Sequence, residues 1–226
     1  MPQPRNPWPP LLLGLPLVLV AACALRRPPV HGELAGAAAR EDALAVSDAL
    51  EALIDEGRDT PADRQYAYEA VRRHEEDTAA TTYARASVTG RFVQQKGLLA
   101  AHLVPEVERS ARRSRELDPA FRDGAAARLL GTLYVMAPGT MLEHGDSEQG
   151  LELLEDLVAQ YPDAPENHLR LAEAYMALGD RAPAHPHLCH CLAHGAALRP
   201  DDQALLAGLL AHAGPVTCGG PAPPAR

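Results

Sequence analysis

Metal-binding side chains are concentrated in one short stretch near the carboxyl end of the chain. Four histidines and two cysteines lie between His185 and His194. Imidazole nitrogens and thiolates are the ligands that zinc and copper(I) prefer. On a helix, offsets of three and four place four of these side chains on neighbouring positions of one face, namely His187, His190, Cys191 and His194. A metal-handling function is therefore one hypothesis for this chain.

A second interpretation treats the same stretch as an ordinary packed helix. One helix offers at most three ligands to a single ion, whereas a structural zinc site takes four. A free cysteine such as Cys191 is commonly a small buried hydrophobe. We therefore predict that the protein needs no metal or other cofactor, and we keep the four side chains as the alternative metal site.

Acidic side chains also occur in groups that could do general acid–base chemistry, such as Glu152 with Glu155 and Asp156. Acids spread along an exposed helix face usually only solvate that face. The chain has neither the Gly-x-Ser-x-Gly turn of a serine hydrolase nor the Gly-x-x-x-x-Gly-Lys loop that cradles phosphates. We therefore expect a binding protein and not an enzyme.

An apolar run near the amino terminus ends at small residues and a cysteine. The run from Leu11 to Ala22 has 12 residues, which is too short to cross about 30 Å of hydrocarbon as a helix. It matches the apolar core of a secretory signal, with Arg5 as the positive flank. We predict a signal peptide over residues 1–22 and export of the protein.

The end of that run resembles the lipobox of bacterial lipoproteins. In Val20-Ala21-Ala22-Cys23 the chain would be cut before the cysteine, whose thiol would be acylated. The resemblance implies that Cys23 is the lipid-bearing first residue of the mature protein. An ordinary secretory signal with an incidental cysteine is the alternative. Ala24 after the cysteine, rather than an acid, favours the periplasmic face of the outer membrane, with the inner membrane as the alternative.

The mature chain is expected to be acidic. Removal of residues 1–22 takes away only Arg5 among the charged residues and leaves 20 basic and 30 acidic side chains. This charge repels phosphate backbones and anionic lipid head groups. We therefore expect no nucleic-acid partner and no membrane contact other than the lipid anchor. Besides Cys23, at most one disulfide can form among Cys189, Cys191 and Cys218, and its pairing is not determined by the sequence.

Helical sequence patterns fill the middle of the chain. Ala, Leu, Glu and Arg dominate, and alternating runs of β-branched and aromatic residues are absent. Residues 23–38 lack periodic apolar spacing and are predicted to be a lipidated tether. Residues 214–226 are rich in proline and glycine and are predicted to be a disordered tail. Between them, residues 39–213 are predicted to form one all-α domain.

A spacing of 34 residues recurs within that domain. The dipeptide Gly-Asp at positions 145–146 is repeated at positions 179–180. A period of 34 is typical of tetratricopeptide repeats, and we predict tetratricopeptide-like hairpins stacked into a right-handed superhelix. Small residues would let paired helices approach closely, and large residues would fill the groove beside them. The residues assigned to this packing are Gly131, Gly150, Leu154, Ala172, Ala184 and Leu188.

Seven surplus residues, Ala137 to Glu143, separate the two helices of the first of these hairpins. Insertions in repeats fall on one face, often the binding face. Two of the seven are apolar where surface loops are normally polar, so they either pack on the body or contact a partner. Two hairpin tyrosines are core residues in one interpretation and groove-lining residues in another. The predicted ligand- or partner-binding residues are Tyr134, Pro138, Met141, Leu142 and Tyr175.

The segment around this insertion resembles the T component of TRAP transporters. The similarity rests on the run from Arg115 to Pro119, the run from Gly124 to Tyr134, the proline-containing loop and the Gly-Asp that follows it. It extends more loosely over residues 40–210. The resemblance implies a periplasmic lipoprotein of helical hairpins that associates with the transporter's substrate-binding protein, with a channel or groove for a small apolar ligand. A structural envelope scaffold that binds other proteins is the alternative, and self-association is left open.

Overall fold

The computed structural model describes residues 29–219; the predicted signal peptide, Cys23 and residues 220–226 lie outside this range. The prediction of an all-α protein is confirmed for the described range, which contains ten α-helices, three 3-10 segments and no strand. The α-helices are α1 (Gly32–Ala38), α2 (Ala43–Asp55), α3 (Pro61–Val71), α4 (Ala79–Lys96), α5 (Val104–Leu117), α6 (Ala125–Met136), α7 (Ser147–Gln160), α8 (Pro165–Ala177), α9 (Arg181–Ala193) and α10 (Pro200–Ala213). The 3-10 segments are Gly97–Leu103, Gly139–Met141 and Gly195–Ala197. None of the described helices is both long and apolar enough to span a bilayer.

The helical body begins earlier than the sequence indicates. Residues 23–38 are predicted to be a tether, but α1 forms within that range and its Leu34 and Ala37 are fully buried. His31 fixes the start of this helix, because its amide and its ring Nδ1 both lie 2.9 Å from the carboxylate of Asp63 on α3. A single buried leucine on a short helix gives no periodic signal, which is why the pattern of the sequence does not show it.

Successive helices pack as pairs, α4 with α5, α6 with α7 and α8 with α9, and each pair also contacts the next. Local signals set where helices begin. Thr60 and Asp63 form a capping box at the start of α3, with a proline at its first position. The carboxylate of Asp146 accepts a hydrogen bond from the amide of Gln149 and begins α7. The chain is therefore a series of helical hairpins joined by short connections.

A disulfide joins Cys189 on α9 to Cys218 beyond the end of α10. Cys191 is the free cysteine of the described range and is buried. The predicted tail, residues 214–226, is therefore attached to the body through its first residues, since Val216 also packs against the core of the last two hairpin helices and α10. The cysteine count allowed one bridge, and only the fold shows which two sulfurs meet.

The two ends of the described chain are held together by an ionic cluster. Arg91 on α4 donates hydrogen bonds of 2.7 Å both to Glu51 on α2 and to Asp201 on α10. Arg199, at the start of α10, pairs with Glu51 and with Asp55. Burial alone would raise the pKa of Glu51, but the hydrogen bonds and charges of the two arginines outweigh it and lower that pKa. The last helix is therefore attached to the first hairpins by charge.

Candidate functional site

The close contact between α6 and α7 positions the side chains around the inserted loop. A Cβ atom added at Gly150 would lie 2.8 Å from both the carbonyl oxygen of Gly131 and Cβ of Tyr134. A Cβ at Gly131 would lie 2.6 Å from Leu154. The backbones of the two helices thus nearly touch. The residues assigned to repeat packing are all buried: Gly131, Gly150, Leu154, Ala172, Ala184 and Leu188.

Tyr134 lies beside this contact and is almost fully buried. Its ring covers Gly145, where a side chain would collide with it. Its hydroxyl donates a hydrogen bond of 3.1 Å to Glu108 on α5. Tyr134 therefore combines the two roles that the sequence left open, since its ring is in the core and its hydroxyl reaches a polar group.

Glu108 is the central polar residue of this region and was not identified from the sequence. Its side chain is 0% exposed. Besides the hydroxyl of Tyr134, it accepts hydrogen bonds from the amides of Glu143 at 2.7 Å and His144 at 3.0 Å. A buried carboxylate is stable only when it is bonded in this way. The inserted loop is therefore fixed to α5 through its own backbone.

The inserted loop packs partly on the body and partly borders a cavity. Leu142 packs against the cluster that contains Leu130 and Tyr134. Pro138 is exposed and precedes the 3-10 segment Gly139–Met141. A shallow cavity of about 380 Å³ lies between the loop, the end of the 3-10 segment Gly97–Leu103 and the start of α5, and it is lined by Ala101, His102, Pro105, Thr140, Met141, Leu142 and Glu143. Leu142 therefore packs on the body, as one alternative predicts, and both Met141 and Leu142 border the cavity. Contact with a partner stays a prediction.

A larger open groove lies between α5, α6 and α7. Its volume is about 630 Å³, and it is lined by Arg112, Arg115, Glu116, Pro119, Leu130, Tyr134, Gln149, Glu152, Leu153 and Asp156. Two arginines face it from α5, and Glu152 and Asp156 face it from α7. Two of the three acids that the sequence assigned to a solvated face, Glu152 and Asp156, therefore line a groove. Periodicity could not reveal this, because it does not show which exposed face borders a concavity.

Tyr175 does not belong to the lining of this groove. It lies on α8, in the next hairpin, and its hydroxyl donates a hydrogen bond to Glu155. Burial and the negative charge of Glu155 raise the pKa of Tyr175. The structure thus brings Tyr134, Met141 and Leu142 close to one another through Glu108, and places Tyr175 elsewhere. The two tyrosines hold matching positions in successive hairpins, so the repeat itself separates them.

The histidines form a stack that includes a residue from another helix. His168 on α8 lies 3.0 Å from His187, Nδ1 to Nδ1, and its ring stacks on His190 at 3.8 Å. His168 Nε2 is 2.8 Å from the carbonyl of Pro162, so this nitrogen carries the proton and His168 Nδ1 accepts from His187. Burial, with neighbouring imidazoles, lowers the pKa of His187 to about 4. Burial also lowers the pKa of His168 and of His190 below the ordinary value of 6.5, so the neutral form of all three rings predominates at pH 7.

The alternative metal site is not assembled by the described part of the chain. Cys191 is fully buried in the core, and its thiol lies 3.5 Å from the carbonyl oxygen of Pro165. Burial raises the pKa of Cys191 to about 12, so a thiolate does not form at neutral pH. Within residues 29–219, no group of three or more His, Cys, Asp or Glu side chains is arranged to hold an ion. The proposed set of His187, His190, Cys191 and His194 fails because Cys191 belongs to the core.

Comparison with known proteins adds no identification to this geometry. No protein-family model matches the sequence, and no curated protein matches it significantly.

Proposed function

We propose that this chain is an exported, lipid-anchored, tetratricopeptide-like binding protein that holds a segment of a protein partner in the groove between α5, α6 and α7. The observation that carries the proposal is the groove itself, which is open, about 630 Å³ in volume and lined by charges of both signs over an apolar floor. Sites for small apolar ligands are enclosed and mostly apolar. A polar open groove fits an extended protein segment better.

The repeat pattern supports a tetratricopeptide-like arrangement. Gly150 and Ala184 stand 34 residues apart at the same position of α7 and α9, and both are buried in the contact with the preceding helix. Leu154 and Leu188 follow one turn later and are fully buried. Hairpins that repeat one packing contact stack into a superhelix. In such an array the groove between neighbouring hairpins is the usual place for a partner.

The resemblance to the T component of TRAP transporters specifies the partner as a periplasmic substrate-binding protein. The inserted loop that contributed to this resemblance lies next to the groove, since Tyr134 lines the groove and is joined to the loop through Glu108. A structural envelope scaffold would use the same groove for a different protein. Both forms of the proposal require protein recognition and no catalysis.

Export and anchoring rest on Cys23 and gain support from the disulfide. Disulfides persist in the periplasm and are rare in the cytosol, and Cys189 is bonded to Cys218 in the folded chain. The variant Cys23→Ser should move the protein from the membrane to the soluble fraction. Membrane retention equal to that of the wild type would contradict lipid anchoring.

Site-specific photo-crosslinking tests the groove. A benzoylphenylalanine at Glu152, which lines the groove, should capture a protein partner in the native envelope. The same probe at Glu69, an exposed residue of α3, is the control and should capture none of that partner.

Arg115→Glu in the groove should weaken the adduct, whereas Arg73→Glu outside it should not. A substrate-binding protein in the adduct supports the TRAP assignment, and another envelope protein supports the scaffold. Equal capture from both positions would contradict recognition by the groove.

A small apolar ligand is the second candidate because of the cavity beside the inserted loop. Met141, Leu142 and Pro105 give it apolar walls. Met141→Gln would make the cavity more polar and leave the backbone bonds to Glu108 intact. The fluorescent probe N-phenylnaphthylamine should bind the wild type and lose affinity for this variant. Equal binding by both proteins would argue against a ligand site at the loop.

A further inference from the structure

Two leucines project fully into solvent from the connection between α4 and α5. Leu98 and Leu99 are each 85% exposed, and no other exposed large hydrophobic residue of the described range is more than 52% exposed. Gly97, with a φ of 56°, reverses the chain at the end of α4, and Ala100 is already buried. The exposure is therefore confined to the tip of a turn whose base is fixed in the body.

The turn lies in the longest segment of the predicted mature chain without acidic residues. Residues 78–105 contain no Asp or Glu, in a chain that has 30. The same segment contains Lys96, the only lysine, directly before the turn, and His102 after it. Acids are the side chains least compatible with the surface of a bilayer whose lipids are anionic, and leucines at a basic tip are compatible with it.

The described chain begins near the C-terminal part of α4, because the amide of His31 donates a hydrogen bond to Asp63 at the start of α3 and the adjacent Arg64 donates one to the carbonyl oxygen of Arg91. Val30, Phe92 on α4 and Leu103 all pack against the core cluster formed by the first helices. Phe92 and Leu103 flank in sequence the turn that carries Leu98 and Leu99. Pro29 is only six positions after Cys23, a distance that the chain spans with at most about 20 Å even when fully extended. A lipid on Cys23 would therefore hold this end of the body close to the bilayer.

We propose that Leu98 and Leu99 insert into the membrane leaflet in which Cys23 is anchored. This inference rests on the proposed acylation of Cys23. The leucines enter the boundary between head groups and acyl chains, and Lys96 stays at the phosphate level. The body is thereby held in one orientation, because the turn adds a second membrane contact to the lipid anchor. The acidic composition predicted that the protein contacts the membrane only through its lipid anchor, and the proposal adds a second contact at this turn.

A single tryptophan reports on this contact. Trp8 is the only tryptophan of the chain and lies in the predicted signal peptide, so the mature protein has none. Acylated Leu99→Trp protein, reconstituted in vesicles of phosphatidylethanolamine and phosphatidylglycerol with brominated acyl chains, should lose most of its tryptophan emission. Leu192→Trp, at a half-exposed position of α9, is the matched control and should keep its emission.

The possible results separate the anchor from the turn. Leu99→Trp protein that floats with the vesicles but keeps its full emission would retain the anchor and overturn the insertion of the turn. The same variant could instead show emission that is blue-shifted without vesicles and is not quenched in their presence. Such emission would indicate that a second copy or another protein covers this surface, and it would also overturn the proposal. Protein that does not float would contradict the anchor, and the inference would fall with it.

Proteolysis gives a second measurement without a new reporter. A lysine-specific endoproteinase can cut this chain only after Lys96. On vesicles, the acylated wild type should be cut several-fold more slowly than the acylated double variant Leu98→Gln/Leu99→Gln, whose turn no longer inserts. Equal cutting rates of the two anchored proteins would overturn the proposal.

Discussion

Glu108 shows how one buried carboxylate can fix the position of a loop. Its carboxylate bonds the hydroxyl of Tyr134 and the amides of Glu143 and His144, so α5, α6 and the inserted loop meet at one residue. The loop presents its backbone to the body, which leaves the side chains of Met141 and Glu143 to line the neighbouring cavity. A substitution at Glu108 should therefore disturb the structure of the inserted loop more than that of the helices.

Glu108→Ala is expected to destabilise the protein by about 3 kcal/mol, because it leaves several buried donors without a partner and each such group costs about 1–3 kcal/mol. Arg109→Ala is the matched control, since the exposed Arg109 pairs with the same loop through Glu143. That variant should lose less than about 1 kcal/mol. Urea unfolding gives both values, and hydrogen exchange at the amides of Glu143 and His144 should accelerate only in the first. Similar losses in the two variants would show that the buried bonds do not hold the loop.

Residues such as Glu108 and His168 could not be predicted because their partners are distant in sequence. Glu108 is adjacent to the buried Val107 and resembles any helix acid, and its bonding groups lie between 26 and 36 residues away. His168 lies 19 residues before His187 and outside the histidine-rich stretch. A local pattern shows that a side chain lies on a buried face. It does not show which donors the rest of the chain brings to that face.

At the scale of the elements, the hairpin contacts were the most predictable feature. The spacing of small and large residues identified Gly131 and Gly150, and these two positions are where α6 and α7 touch. Side chains at Thr60 and Asp146 cap the starts of α3 and α7. Less predictable was α1, since a short helix with a single large buried residue has no period. Side-chain spacing therefore predicts pairs of helices better than it predicts isolated ones.

Gly150→Ala and Gly208→Ala should have opposite effects on stability. A methyl group at Gly150 would lie 2.8 Å from the backbone of Gly131, so the helices must move apart, at an expected loss of about 1–3 kcal/mol. Nothing lies within 4 Å of a Cβ at Gly208 on the exposed side of α10. That variant should gain about 0.5–1 kcal/mol from helix propensity. Thermal denaturation compares the two, and a Gly150→Ala protein as stable as the wild type would contradict the close contact.

The α8–α9 pair should respond to mild acid through its stacked imidazoles. In the folded state the pKa of His187 is about 4, below its ordinary value of 6.5, chiefly because of burial and then because of His168 and His190. Between these two pH values the unfolded chain binds more protons at this residue than the folded chain does. The contribution of His187 to the free energy of unfolding is therefore complete above about pH 6.5 and is lost as the pH falls toward 4. Asp163, whose charge raises the pKa of His168 and His190, opposes part of this effect.

His187→Gln isolates the contribution of this ring. The free energy of unfolding, measured in urea across that pH window, should decline more steeply with falling pH for the wild type than for the variant, which lacks this imidazole. Carboxylates elsewhere titrate in both proteins and so do not contribute to the difference. Parallel declines would mean that the imidazole stack does not couple protonation to folding.

At the scale of the whole molecule, ion pairs rather than an apolar interface join the last helix to the first hairpins. Glu51 on α2 accepts hydrogen bonds from Arg91, and Arg199 joins it from the start of α10. The sequence contains no signal for this contact, since Arg91 and Asp201 are 110 positions apart and Glu51 and Arg199 are 148 positions apart. The cluster therefore fixes the last helix against the first ones.

Glu51→Gln should therefore loosen the connection between the two ends of the chain. Glutamine keeps the size of the side chain but leaves Arg91 and Arg199 without their shared carboxylate in a largely buried site. Breaking one partner of a buried ion pair costs about 3 kcal/mol or more. Asp77→Asn is the matched control, because Asp77 pairs with Arg113 on the exposed surface and should contribute less than about 1 kcal/mol. Hydrogen exchange in Glu51→Gln should increase in α10 and α2 together, whereas α6 and α7 should remain protected. A small loss, equal to that of the control and with no change in α10, would show that apolar packing alone holds the last helix in place.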